Sequence, residues 1–186
     1  QAVRADRVFG QHLITQQVGM KGGLEADVSD ASRVGLQLDV RHTASPFDNN
    51  YNGWQSGLYA TYERVVARSI VTSGGVFLRR DAFRAKAYSS VELGMIAGIG
   101  GELPAGFNVG LGGSFSRALY DAPLPIFSTD PRHDWRFSLR ATVGNRAFAW
   151  LGFSPTIGVS WSRMDSTLPL YANNRTRLRF ALARYF

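Results

Sequence analysis

Apolar and polar positions alternate with a period of two along most of this chain, most cleanly toward its C-terminal end. From Phe153 to Ser162, Phe153, Pro155, Ile157, Val159 and Trp161 share one face, and Ser154, Thr156, Gly158, Ser160 and Ser162 share the other. The last dozen residues repeat the pattern: Leu178, Phe180, Leu182 and Phe186 oppose Arg177, Arg179, Ala181, Ala183 and Tyr185. Upstream, Trp135, Phe137, Leu139, Ala141 and Val143 alternate with Arg136, Ser138, Arg140, Thr142 and Gly144. Phe107, Val109, Leu111 and Phe115 oppose Asn108, Gly110, Gly112, Ser114 and Ser116, while Val91, Leu93, Met95, Ala97 and Ile99 oppose Ser90, Glu92, Gly94 and Gly98. The contrast weakens but persists earlier. There Trp54, Leu58, Ala60 and Tyr62 lie opposite Gln55, Gly57, Tyr59, Thr61 and Glu63, and Val34, Leu36, Leu38 and Val40 opposite Arg33, Gly35, Gln37, Asp39 and Arg41. Val18, Met20, Leu24, Ala26 and Val28 oppose Gln17, Lys21, Glu25 and Asp27. The stretch from Ile70 to Arg79 is Gly-rich and ambiguous in phase, and residues 2–9 fit one further strand. The pattern predicts nine strands, or ten with the N-terminal one.

Alternation over about 9–11 residues is what a tilted strand needs to cross a bilayer, with one face to lipid and one to a polar lumen. A soluble β-sandwich would instead bury its apolar face in a core and expose a charged one. Here the apolar face carries aromatics near both strand ends and the opposite face is small and glycine-rich, which favours the membrane reading. Connections support it, because such barrels alternate short periplasmic turns with longer outer loops and end on the periplasmic side. Walking back from Phe186, the connections fall near 165–174, 145–152, 121–133, 101–106, 80–87, 65–69, 42–52 and 29–32. Those expected outside are mostly the longer ones. The segment 145–152 is the exception, and its Phe148, Trp150 and Leu151 suit an inner aromatic girdle. The expected fold is therefore all-β, an antiparallel transmembrane β-barrel in the outer membrane of a Gram-negative bacterium. Lumen-lining positions are Arg33, Gln37, Arg41, Glu63, Glu92, Arg136, Arg140, Arg177 and Arg179. Membrane-facing positions are Trp54, Trp135, Phe137, Ile157, Val159, Trp161, Phe180, Leu182 and Phe186.

Composition removes other classes. Hydrophobic residues make up 45% of the chain, yet no run reaches the roughly 18 apolar residues of a membrane helix. Twenty glycines and 12% aromatics suit strands with tight turns rather than disorder. With no cysteine there are no disulfides or thiolate metal sites. The chain opens on Gln1 without a basic-then-apolar leader, so a mature product or a piece of a longer protein is expected.

The net charge of +7 raises nucleic acid as a partner. The basic residues are nearly all arginines dispersed along the chain, with no nucleic-acid motif beside them. Lumen arginines, or rim arginines facing lipopolysaccharide phosphates, account for the charge, and no nucleic-acid partner is expected.

Barrel enzymes exist, so catalytic sets matter. His12, His42 and His133 are the only histidines, two of them in expected outer loops and none beside a serine in a hydrolase arrangement. Glu25 with Asp27, and Asp39 with Glu63, fall on the lumen face, where Arg33, Arg41, Arg136, Arg140, Arg177 and Arg179 are natural ion-pair partners, and read as lumen lining rather than general acid and base. The glycines at 94, 98, 100 and 101 lack the lysine and helix of a phosphate loop, and relief of crowding where strands bend accounts for them. No enzyme activity, cofactor or metal is expected.

The C-terminal part carries a more specific signal. Gly152-Phe153-Ser154-Pro155, then Trp161 to Ser166, Leu170-Tyr171, Asn174-Arg175 and a final Arg184-Tyr185-Phe186 resemble the end of the surface lipoprotein assembly modifier barrels. Arg79-Arg80-Asp81, Tyr88-Ser89 and the Arg132 to Trp135 stretch are compatible with that family's loop-to-strand pattern; Met164 stands where the family usually has Asn. The match spans about residues 79–186. The resemblance implies an outer-membrane protein that moves lipoproteins, or in some branches soluble haem-binding proteins, to the cell surface. It also implies periplasmic tetratricopeptide repeats before a barrel of about fourteen strands, within the usual range for such barrels. This chain carries neither the repeats nor that many strands, and reads as the C-terminal portion of such a protein. Ten strands closing alone would leave a narrow, side-chain-filled interior. The partners implied are outer-membrane lipids and lipopolysaccharide, an exported client, and the barrel assembly machinery acting on the C-terminal strand. A passive, porin-like pore with an anion-favouring lumen is the alternative reading, and a structural or adhesive barrel a third.

Overall fold

The computed structural model describes residues 2–9, 12–148 and 153–184. Ten strands form one antiparallel sheet in which each strand pairs with its sequence neighbours, from first to last. They are β1 (Ala2–Phe9), β2 (His12–Ser29), β3 (Ser32–Ala44), β4 (Gly53–Ala67), β5 (Ile70–Phe83), β6 (Ser90–Leu103), β7 (Phe107–Tyr120), β8 (His133–Asn145), β9 (Phe153–Ser166) and β10 (Asn173–Arg184). Among the described residues, short 3₁₀ turns occupy four of the connections, and no helix is long and apolar enough to cross a membrane. The sheet is not closed: β1 and β10 are its two edges, so the expected barrel and its size go beyond what the described residues form. Strand order is that of an up-and-down meander.

Register sorts the side chains into two faces, because directly paired residues project to the same side. One rung runs Gly98, Gly112, Arg140, Ser160, Arg177 from β6 to β10, and the next runs Ile96, Ser114, Ser138, Ser162, Arg175. A rung on the opposite face runs Met95, Phe115, Phe137 and Arg163. The Gly-rich stretch of β5 acquires a definite phase. Ser73, Gly75, Phe77, Arg79 and Asp81 join the polar face through Glu63, Thr61, Tyr59, Gly57 and Gln55 of β4.

The apolar face is open. Leu24 is 78% exposed and Phe180 70%, and among the described residues the buried hydrophobics are only Ala118, Leu124 and Leu168. The largest fully buried side chains among the described residues are polar: Asp134, Ser89 and Ser154. The molecule thus has its hydrophobic residues outside and its polar residues inside, the reverse of a water-soluble domain. Aromatics stand near both ends of the apolar face: Trp54 and Trp135 at one end, Tyr62, Phe107 and Phe153 at the other.

From β2 to β8 the connections alternate in length. Those after β2, β4 and β6 take two or three residues, and bulges at Asp27/Ser29 and Val65/Ala67 adjust the register beside the first two. The turn after β6 uses left-handed backbone at Ala105 and Gly106 (φ 64° and 74°), the region glycine enters without cost. The connections after β3, β5, β7 and β9 are longer and gather at the opposite end. The expected loops prove shorter than the sequence suggested, because the ladders continue further: His42, for example, lies within β3 and His133 opens β8.

Candidate functional site

The polar face is concave. One groove of about 600 Å³ is lined from Ser73 of β5 to Arg177 of β10, and a neighbouring one of about 670 Å³ from Lys21 of β2 to Ile96 of β6. Ile96 borders both and divides them. Glycines give this floor its depth, and at Gly94 the reason is space rather than dihedral freedom. A Cβ there would collide with the ring of Phe77 and with Ser116.

All nine positions expected in a lumen fall on this face. Arg33, Gln37 and Arg41 lie on β3, Glu63 on β4, Glu92 on β6, Arg136 and Arg140 on β8, and Arg177 and Arg179 on β10. Trp54, Trp135, Phe137, Ile157, Val159, Trp161, Phe180 and Leu182 lie on the other face. Phe186 lies outside the described residues, as do Trp150 and Leu151 of the expected inner girdle.

Toward the long-loop end the polar face is tightly bonded. Gln17 Nε2 donates to Thr43 Oγ1 at 3.2 Å, Thr43 Oγ1 to Gln55 Oε1 at 3.1 Å, and Gln55 Nε2 to Asp81 Oδ1 at 2.9 Å. These bonds rivet β2 through β5. Beyond them Glu92, 6% exposed, accepts from Ser116 Oγ at 2.6 Å and Arg136 Nη1 at 2.7 Å, with Arg79 Nη1 at 3.5 Å. Arg136 also reaches the Tyr120 hydroxyl and Asp134. Burying two carboxylates would cost several kcal/mol without such partners.

Sequence reasoning missed what covers this network. Arg132 is held between the rings of Tyr120 and Tyr171, 3.8 and 3.7 Å from their centroids, with Nε 3.3 Å from Asp134. Asp121 accepts two hydrogen bonds from Arg80, at 2.7 and 2.5 Å, which hold its carboxyl below the usual range. Tyr51 stacks on Tyr88 at 4.5 Å. The Tyr88 hydroxyl, hydrogen-bonded to it, is the main cause that pushes the Tyr51 phenol up to about 12. Backbone bonds from Ala85 to Asn50 and from Asp121 to Ser89 tie three of these loops together. The only hint in the sequence was the clustering of Arg132, His133 and Asp134 at a loop end.

The expected ion pairs form on one side of the face and not on the other. Arg33 bonds Asp27 at 2.8 Å and Glu25 at 3.4 Å, and Arg41 bonds Asp39 at 2.8 Å. Arg140, Arg177 and Arg179, expected to pair with the same carboxylates, make no ion pair among the described residues, because β3 and β4 stand several strands away.

No curated protein matches this sequence. A family model described as surface lipoprotein assembly modifier matches residues 3–186, nearly the whole chain.

Proposed function

This chain belongs to the surface lipoprotein assembly modifier family, and we propose that it sits in the outer membrane of a Gram-negative bacterium and helps carry client lipoproteins to the cell surface. The family match over residues 3–186 carries this reading. The outward apolar face supports it, since contiguous exposed apolar surface of this extent requires lipid or protein to cover it. Strands of 12 to 18 residues from β2 to β10 exceed the roughly 9–11 that cross a bilayer, leaving their ends in the headgroup layers.

In hydrocarbon an unpaired strand edge costs several kcal/mol per orphaned group. Closure of β1 on β10, directly or through further strands, is therefore part of the proposal. The concave polar face then becomes the wall that a client meets. Its serines, glycines and arginines offer hydrogen bonds to an extended chain. Folding of the client outside supplies the direction of movement.

The test is protease shaving of intact cells with and without the gene, following a candidate lipoprotein. Loss of surface exposure at unchanged lipoprotein abundance is the expected result. Unchanged exposure would remove the translocation role for that client.

A further inference from the structure

Charge on the concave face is segregated by strand. From β2 to β7 seven carboxylates stand against four cationic side chains, whereas β8, β9 and β10 place five arginines against Asp134 alone. Asp134 is already engaged by Arg132 and Arg136. Arg140, Arg175, Arg177 and Arg179 are exposed, and among the described residues none of the four makes an ion pair. Arg140, Arg175 and Arg177 line the ≈ 600 Å³ groove together with the hydroxyls of Ser114, Ser138, Ser160 and Ser162.

Four uncompensated guanidinium groups over a floor of hydroxyls and glycines make an anion-binding surface, since each can give charge-assisted, bidentate hydrogen bonds. The arrangement also selects among anions. Arg175, Arg177 and Arg179 alternate along one strand and so repeat every 6.6 Å or so, the spacing of alternate side chains in any extended polypeptide. A lipid phosphate would approach from the exposed apolar face, to which these residues turn their backs. A single-stranded nucleic acid would need aromatic platforms, and the one aromatic that β8 to β10 bring to the edge of the groove, Trp161, belongs by register to the opposite face. We propose that the arginine groove of β8–β10 binds acidic segments of extended polypeptide. The inference deepens the transport role proposed above and rests on the concave face being the client's route.

The test uses the full-length protein in detergent micelles and two fluorescein-labelled ten-residue probes, one of alternating Glu and Ser, the other of alternating Gln and Ser, read by fluorescence anisotropy. The Glu probe is expected to bind with an affinity that falls as salt is raised, and the Gln probe not to bind. Arg177→Gln with Arg179→Gln should weaken the Glu probe at least about tenfold, since each substitution removes a charge-assisted hydrogen bond. Arg33→Gln, at a side chain already paired with Asp27 and Glu25, should change it less than about twofold. If the double variant does not fold, as judged by circular dichroism, Arg140→Gln alone is expected to weaken binding. Equal binding of the two probes, equal loss in Arg33→Gln, or displacement of the Glu probe by inorganic phosphate at matched charge concentration would overturn the proposal. Tighter binding of an oligonucleotide of similar charge would do the same. Shaving in cells separates this failure from that of the transport role. Normal display with a groove that ignores the Glu probe removes the groove, while Glu binding with display unchanged on deletion removes the role.

Discussion

At the scale of single residues, the concave face is organised by which arginine finds a carboxylate. Asp121 at the loop end, whose partner Arg80 projects to the opposite side of the sheet, shows how an Arg–carboxylate pair answers to pH. Its carboxyl, held low by the Arg80 hydrogen bonds, contributes stability above its unfolded value near 3.9 that is lost as pH falls through the lower folded value. Asp121→Asn should therefore lower the melting temperature in detergent at pH 7, by the equivalent of about 1 kcal/mol or less for so accessible a pair. The difference from wild type should begin to shrink below about pH 4 and close as pH passes the lower folded value, where the wild-type carboxyl is protonated too. A gap that stayed constant with pH would mean the carboxylate charge is not what holds the loop. Ile126 carries a different kind of tension. It is a β-branched residue in left-handed backbone (φ 78°) and wholly exposed at a loop tip between Pro125 and Phe127. Its conformation is one such residues rarely enter.

At the scale of elements, a strand is defined here by which side it turns outward, and neighbouring positions should answer oppositely to the same substitution. Leu139→Arg places a charge on the apolar face and should destabilise the protein in lipid vesicles by about 2–4 kcal/mol in urea titrations. Ser138→Arg, one residue earlier, points into the groove and should cost far less. Equal costs would mean that the apolar face does not meet hydrocarbon. Faces were legible in the sequence because alternation is local: Phe153 to Ser162 declares its phase without reference to any other strand. The phase of β5 was not, because Gly74 and Gly75 are silent and Arg79 and Arg80 send one charge to each side. Phe77 misleads further, since it is an aromatic on the polar face, placed there to cover Gly94. The loop-end network was beyond reach for another reason. Arg80 meets Asp121 across 41 positions and Arg136 meets Glu92 across 44, and pairings at such separations leave no local pattern. For the same reason the alternation named Arg140, Arg177 and Arg179 as facing inward but misjudged their partners.

At the scale of the whole molecule, almost no hydrophobic core exists to drive collapse in water. Denatured protein diluted into detergent micelles should recover the strand signal in circular dichroism, whereas dilution into buffer alone should give aggregates. A soluble, cooperatively melting form in buffer would contradict the inside-out arrangement. The order of the strands has its own consequence. Because every strand pairs only with its chain neighbours, no hairpin depends on a distant one for its register. A sheet built this way can lengthen or shorten by two strands at a time while each remaining strand keeps its direction and its outward face. The circumference is thus a modular quantity, open to change by duplication or loss of a single hairpin.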